Sequence, residues 1–93
     1  MEDRENFYQK LKIQLDDTTQ FPADYLYKFI VSAEGDRVAQ VQGLFDNKGA
    51  VITTKKSKTG KYISVSIVIK IENSDTVILY YKQAEKIEGI ISL

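Results

Sequence analysis

The sequence contains no cysteine, no histidine and no tryptophan. Without cysteine it can form no disulfide, no thiolate metal site and no cysteine nucleophile. Without histidine it lacks the commonest metal ligand and the commonest general base near neutral pH, so its serines have no partner for a hydrolytic triad. We therefore expect a protein that is not an enzyme and that holds no cofactor or metal.

The sequence also lacks an excess of charge of either sign. Thirteen basic residues balance thirteen acidic ones, whereas proteins dedicated to nucleic acids or acidic membranes normally carry net positive charge. The longest apolar-rich stretch, residues 63–71, is too short to span a bilayer, and the acidic N-terminus is unlike a signal peptide. We expect a cytoplasmic protein with no membrane partner, and nucleic acid is disfavoured as a partner.

Ninety-three residues, 43% of them hydrophobic, are typical of one folded domain with a thin core. Residues 1–19 are predicted to form an N-terminal helical extension, and residues 20–93 the body of the domain. In the extension, a helix is predicted over residues 3–15, capped by Asp3 and ended by the polar run at 16–19. Its apolar stripe is predicted to contain Phe7, Leu11 and Leu15, extended by Tyr8.

Two further helices are predicted at residues 37–47 and 75–87. The first has inward-facing apolar residues at helical spacing but also contains Gly43, which we attribute to a close approach between helix and sheet. The second is capped by Asn73 or Ser74.

Four strands are predicted at residues 24–33, 50–56, 61–72 and 90–93. The third gives the clearest signal, since five β-branched residues alternate along one face: Ile63, Val65, Ile67, Ile69 and Ile71. A tight turn at residues 57–60 joins the second strand to the third, so these two form a hairpin.

The order of these elements predicts an α+β fold, a ferredoxin-like βαββαβ antiparallel sheet with strand order 4-1-3-2 and both crossover helices on one face. Strands 1 and 3 should be central because they are the most apolar. Strands 2 and 4 should lie at the edges, since one carries Lys55 and Lys56 and the other is short.

Two segments carry a family resemblance. FPADYLYKFI at residues 21–30 resembles the F-P-x-D opening of the YbeD-like proteins, small bacterial proteins of unknown function, and SKTGKYISVS at 57–66 resembles their hairpin. Leu79-Tyr80 and the C-terminal residues 88–93 also fit that family. The resemblance covers residues 20–93 and implies a ferredoxin-like domain similar to the ACT regulatory domains, which bind amino acids at dimer interfaces. The first strand–helix loop here, residues 33–36, has one glycine where ligand-binding ACT domains have several.

The face of the sheet away from the helices is predicted to be polar with one aromatic ring. Lys28, Tyr62, Ser64 and Ser66 point to that side. No acidic residue occurs between Asp46 and Glu72, so the lysines of the hairpin form an uncompensated basic run. The candidate interaction surface therefore contains Lys28, Tyr62, Ser64, Ser66, Lys55, Lys56 and Lys58. The alternative explanation is that these lysines only protect an edge strand and keep the hairpin soluble.

Three functions remain open from the sequence. The leading one is a non-enzymatic regulatory or protein-interaction domain, whose partner is another protein or a second copy of the chain. The second is an ACT-like sensor of a small molecule such as an amino acid, the identity of which is unknown. The third is RNA binding on the open sheet face, for which Tyr62 supplies one aromatic ring and Ser64 stands where a second would be expected.

Overall fold

The computed structural model describes residues 4–93 and arranges them as three helices and one four-stranded sheet. Their bounds in chain order are α1 Arg4–Thr18, β1 Ala23–Ser32, α2 Arg37–Leu44, β2 Val51–Lys56, β3 Tyr62–Ile71, α3 Ser74–Ala84 and β4 Ile91–Ser92. Every strand pairing is antiparallel, and the sheet order is β2-β3-β1-β4. This is the predicted 4-1-3-2 order counted from the other edge, so the α+β, ferredoxin-like fold is confirmed.

The two central strands, β1 and β3, supply most of the core. They pair along their full lengths, with Tyr27 opposite Ile67 and Phe29 opposite Val65. These four side chains are fully buried. Because side chains alternate along a strand, every second residue of β1 and β3 points under the helices, and the others form the opposite, uncovered face. We call that uncovered face the open face.

Helices α2 and α3 cover the inner face of the sheet. Val41 and Phe45 of the α2 region and Val77 of α3 are buried against it. Asn73 caps α3, since its side chain accepts a hydrogen bond from the Thr76 N–H at 2.9 Å, as predicted. The prediction for Gly43 is wrong: a Cβ there would meet nothing within 4 Å, so no close approach requires a glycine.

Helix α1 differs from its prediction at two points. It continues through Asp16 and Asp17 to Thr18, and its buried residues are Tyr8 and Leu15, whereas Phe7 is 43% exposed. At about 100° per residue, Tyr8 and Leu15 lie roughly 20° apart around the helix and Phe7 lies roughly 80° from Leu15. The side of α1 that carries Tyr8 and Leu15 therefore faces the core, and Phe7 lies beyond its border. The predicted cap at Asp3 lies outside the described residues.

Hydrogen bonds and ion pairs connect α1 to α3 along a line that we call the α1–α3 seam. Its residues are Arg4, Glu5, Tyr8, Lys12 and Asp16 of α1, and Ser74, Asp75, Lys82 and Glu85 of α3 and its C-cap. At one end of the seam, the Tyr8 hydroxyl donates a hydrogen bond to Glu85 Oε2 at 2.5 Å, and Arg4 forms an ion pair with the same carboxylate. At the same end, Lys82 pairs with Glu5. At the other end the buried Ser74 hydroxyl donates to Asp16 at 2.6 Å, and Lys12 reaches Asp75 at 3.2 Å.

These contacts shift the pKa values of the seam in the directions expected of paired groups. The hydrogen bond from Tyr8, followed by that from Arg4, lowers the pKa of Glu85. The hydrogen bond from Ser74 lowers the pKa of Asp16, and the contact with Asp75 raises the pKa of Lys12. Burial, with the Glu85 contact second, raises the pKa of Tyr8 to about 12. The charged carboxylates and the neutral phenol are therefore the forms that the folded chain favours.

Candidate functional site

The register of the sheet aligns the side chains of the open face in cross-strand rows. Lys28 of β1 lies opposite Ser66 of β3, which lies opposite Thr53 of β2. One row further along, Ile30 lies between Ile91 of β4 and Ser64 of β3. Lys28, Ser64 and Ser66 are therefore on the same face as predicted, with Tyr62 at its end opposite Ser32.

The open face is less polar than the sequence predicted. Leu26, Val68 and Val51 lie side by side across β1, β3 and β2, and we call these three residues the apolar row. They are 58%, 40% and 64% exposed, respectively. The prediction of a polar face with one aromatic ring was incomplete, because alternation along each strand identified the individual residues but not their alignment across strands.

A shallow depression of about 340 Å³ lies where the open face meets the β2–β3 turn. We call it the hairpin corner; it is lined by Ile30, Lys55, Lys56, Ser57, Lys58, Tyr62 and Ser64. It brings together five of the seven residues of the predicted interaction surface. Lys28 and Ser66 lie on the same face but outside the depression.

Hydrogen bonds fix the backbone of the hairpin corner. The Ser57 N–H donates to the Tyr62 carbonyl at 2.8 Å, and the Gly60 N–H donates to the Ser57 carbonyl at 3.0 Å. Gly60 has φ +75°, a left-handed conformation that glycine adopts without strain. The Ser57 hydroxyl accepts from the Tyr62 N–H at 3.2 Å, and the Ser64 hydroxyl donates to the Lys55 carbonyl at 3.3 Å. The turn therefore presents its lysines from a defined backbone.

The cations of the hairpin corner are not matched by carboxylates. Within residues 4–93, Lys55, Lys56 and Lys58 form no ion pair. One acidic residue, Glu34, lines an adjoining depression together with Lys61 and Tyr62. Positive charges that no carboxylate compensates raise the local concentration of anions at a concave surface.

A second groove, of about 390 Å³, lies between α1, α3 and β4. Phe7, Leu11 and Leu93 contribute apolar walls, and Arg4 and Glu85 line its polar end. The charged side chains that line this groove, Arg4 and Glu85, already pair with each other.

The described part of the chain lacks two other kinds of functional feature. Within residues 4–93, no three acidic side chains come close enough together to hold a metal ion. None of the helices there combines the length and apolar character needed to cross a membrane. The exposed apolar row and the lysines without carboxylate partners make the open face and the hairpin corner the candidate functional surfaces.

Comparison with known sequences gives consistent matches. A family model described as "Protein of unknown function (DUF493)" matches residues 16–93. A UPF0250 protein of Haemophilus influenzae strain PittEE is 40% identical over 91 residues, which cover 92% of this chain and 92% of that protein. A UPF0250 protein of Shewanella piezotolerans is 33% identical over 84 residues, covering 86% of this chain and 94% of its own length.

Among solved structures, the chain is similar to the ACT domain from the GTP pyrophosphokinase of Chlorobium tepidum. The TM-score is 0.54 at 16% sequence identity, and the match covers 76% of this chain and 100% of that domain. At this level of identity the similarity shows a shared fold and nothing about a shared ligand.

Proposed function

Because the chain belongs to the DUF493 family, which is described only as of unknown function, we propose its role from its surfaces: a non-enzymatic interaction module that binds a partner protein on its open face. The family resemblance and the ACT-like fold predicted from the sequence are both confirmed. Neither the family nor the fold specifies a biochemical activity, so the proposal depends on this chain's own residues.

The observation that carries the proposal is the apolar row. Three aliphatic side chains, each at least 40% exposed, lie together in the second of the five cross-strand rows on a sheet face that no helix of the described chain covers. Protein interfaces characteristically combine an apolar centre with a polar rim. Here the rim contains Lys28, Thr53 and Ser66 on one side of the row, and Asp24 and Lys70 on the other.

The charges on the open face indicate the chemistry of the partner. Lys28, Lys55 and Lys70 point outward from its strands, and Asp24 is opposite Lys70. A partner surface with an apolar centre and a rim of carboxylates complements this pattern, whereas a second copy docked face to face brings an excess of lysine against lysine. We therefore propose an acidic protein as the partner.

Site-specific photo-crosslinking in cells tests the proposal. A photoreactive amino acid at position 68 lies in the apolar row, and the same amino acid at position 79 provides a control, because Leu79 is also aliphatic and 53% exposed but belongs to α3. We expect a discrete crosslinked species from position 68 and none from position 79. The further change Leu26→Asp should abolish the crosslink, because it places a charge in the centre of the interface.

Three results would contradict the proposal. Equal crosslinking from positions 68 and 79 would indicate non-specific contact. A crosslink that survives Leu26→Asp would place the partner elsewhere. A product of twice the mass of the chain would identify a second copy as the occupant.

A second candidate, an ACT-like amino-acid sensor, is favoured by a separate depression of about 500 Å³ next to the β1–α2 loop. Glu34 and Lys61 both line it, so it offers opposite charges for the two ends of a zwitterion. A thermal-shift screen of the amino acids tests this candidate. One of them should raise the Tm of the wild-type protein but not that of Glu34→Gln, and a flat response from every amino acid would remove the candidate.

A further inference from the structure

We infer that the hairpin corner is a binding site for a nucleoside polyphosphate, whose phosphates contact Lys55, Lys56 and Lys58 and whose base stacks on Tyr62. The inference uses different residues from the apolar row and goes beyond the proposed protein-binding function. It can fail while that function stands, and the reverse is also true.

Charge provides the first argument. The lysines of the hairpin corner have no carboxylate partner within residues 4–93. In contrast, four basic residues of the helices form ion pairs: Arg4, Lys12, Arg37 and Lys82. Three lysines line one depression and so match a ligand with several negative charges, and Lys is a common phosphate-binding residue.

Tyr62 provides the second argument. The sequence has six tyrosines, and five of them, at positions 8, 25, 27, 80 and 81, have an aromatic ring neighbour. Tyr62 has no ring neighbour within residues 4–93 and is 51% exposed. An exposed aromatic ring beside phosphate-binding lysines provides a stacking surface for a planar base.

Size and preorganisation provide the third argument. The depression, at about 340 Å³, lies within the range of roughly 300 to 1,000 Å³ typical of small-ligand sites. The turn that bears the lysines is held by the hydrogen bonds from Ser57 to Tyr62 and from Gly60 to Ser57. Only side chains, and not the loop, then have to become ordered when a ligand binds.

Edge protection explains only part of this arrangement. Lysines on an edge strand discourage pairing with another sheet, and Lys55 and Lys56 of β2 fit that role. Lys58 lies in the turn, where there is no edge to protect, and the exposed aromatic ring of Tyr62 belongs to the central strand β3 and protects no edge either. The combination of Lys58 and Tyr62 in one depression is what indicates a ligand.

The single ring also decides between a free nucleotide and a nucleic-acid strand. On the open face, β1 presents Leu26, Lys28 and Ile30 next to β3, and none of these is aromatic. The open face therefore provides one aromatic ring, that of Tyr62, on which a single base can stack, whereas an RNA strand presents several bases. We assign the site to a free nucleotide with one base.

The binding test is an NMR titration of the ¹⁵N-labelled protein with ATP, GTP, inorganic triphosphate, a single-stranded RNA octamer and an oligoglutamate peptide. We expect ATP or GTP to shift the amide signals of residues 55–64, with an affinity that falls as salt is added. The double change Lys55→Gln and Lys58→Gln should weaken nucleotide binding at least tenfold. Lys28→Gln and Lys70→Gln are the matched controls and should leave it unchanged, because both lysines lie outside the hairpin corner.

Tyr62→Leu separates base recognition from phosphate recognition. It should weaken ATP or GTP several-fold and leave triphosphate binding as it was. Unshifted amides at millimolar nucleotide, an equal loss from the control lysines, or nucleotide binding insensitive to Tyr62→Leu would each overturn the assignment. So would an RNA octamer that binds ten times more tightly than the nucleotide, or an oligoglutamate that binds as tightly.

Discussion

The α1–α3 seam and the hairpin corner use charged residues in opposite ways. In the seam, Arg4, Lys12 and Lys82 each contact a carboxylate, with Tyr8 and Ser74 donating further hydrogen bonds. In the hairpin corner, Lys55, Lys56 and Lys58 contact none within residues 4–93. Charges matched inside the molecule hold its elements together, whereas unmatched charges are available to something outside it.

The contrast predicts a difference in what substitution does. Substitutions in the seam should lower stability most where they remove the hydrogen-bond partner of a buried group, and Tyr8 and Ser74 are the buried groups of the seam. Hairpin residues should affect binding and leave stability unchanged, because surface lysines without partners contribute little to folding. The following changes test the contrast in order of expected size.

Leu15→Ala should have the largest effect. Leu15 is 8% exposed and joins α1 to the core, so removing its side chain should lower the free energy of unfolding by about 2 to 4 kcal/mol. Ile13→Ala, on the same helix but 67% exposed, is the control and should change it by less than about 0.5 kcal/mol. Urea unfolding followed by circular dichroism measures both, and similar values for the two variants would mean that α1 does not dock as described.

Tyr8→Phe should have the next largest effect. The change keeps the ring but removes the hydroxyl that donates to Glu85 at 2.5 Å, so we expect a loss of about 1 to 2 kcal/mol. The loss should shrink as the pH rises from about 10 to about 12. Because folding raises the pKa of Tyr8, its neutral hydroxyl contributes stability that is fully present below about pH 10 and is lost as the hydroxyl ionises. The phenylalanine variant has no hydroxyl to ionise, so only the wild-type protein loses stability over this range. Denaturant unfolding at two alkaline pH values checks this, and a difference that is constant with pH would contradict the assigned cause.

Much of the fold was predictable because it follows local periodicity. The alternation of β-branched residues from Ile63 to Ile71 predicted β3, and the order of elements then predicted the sheet order. The prediction for α1 was right for Tyr8, Leu11 and Leu15 and wrong for Phe7 and for the end of the helix. Its end at Asp16 was misplaced because Ser74, which is 58 positions away, holds that carboxylate, and no local pattern carries such a contact.

The candidate site was predictable only in part. The basic run and Tyr62 were visible in the sequence, and the hairpin gathered Lys55, Lys58 and Tyr62 because a tight turn forces them together. The apolar row was missed because its three members come from three strands, and only the register places Leu26 beside Val68. The pairing of the seam was missed for the same reason, since its partners are far apart in the chain.

Acidification should weaken the seam by a smaller amount. The folded chain lowers the pKa of Glu85 below its ordinary 4.5 and that of Asp16 below its ordinary 3.8. Groups with lowered pKa values contribute stability that is fully present above those ordinary values and is lost as the pH falls through the lowered ones. The effect is limited because the Glu85 side chain is 37% exposed and its interactions are screened by solvent.

The acid effect is measured as the urea concentration at the midpoint of unfolding from about pH 7 to about pH 3, a range that includes the ordinary pKa values of both carboxyl groups. The urea concentration at the midpoint should decrease once the pH is lowered past about 4.5. In the Tyr8→Phe variant this decrease should be shallower, because Glu85 has lost the hydrogen bond that lowers its pKa most. An equally steep fall in wild type and variant would assign the acid sensitivity to other groups.

Neutralising the hairpin corner should have the smallest effect on stability. Changing Lys55, Lys56 and Lys58 together to Gln removes charges that have no partner within residues 4–93, so the free energy of unfolding should change by less than about 0.5 kcal/mol. Relief of repulsion among the lysines makes a slight gain the expected sign, and added salt should reduce that gain. Unfolding in low and high salt measures it. A loss above about 1 kcal/mol would show that these lysines hold the fold together as the seam does, and the contrast between the two regions would then be wrong.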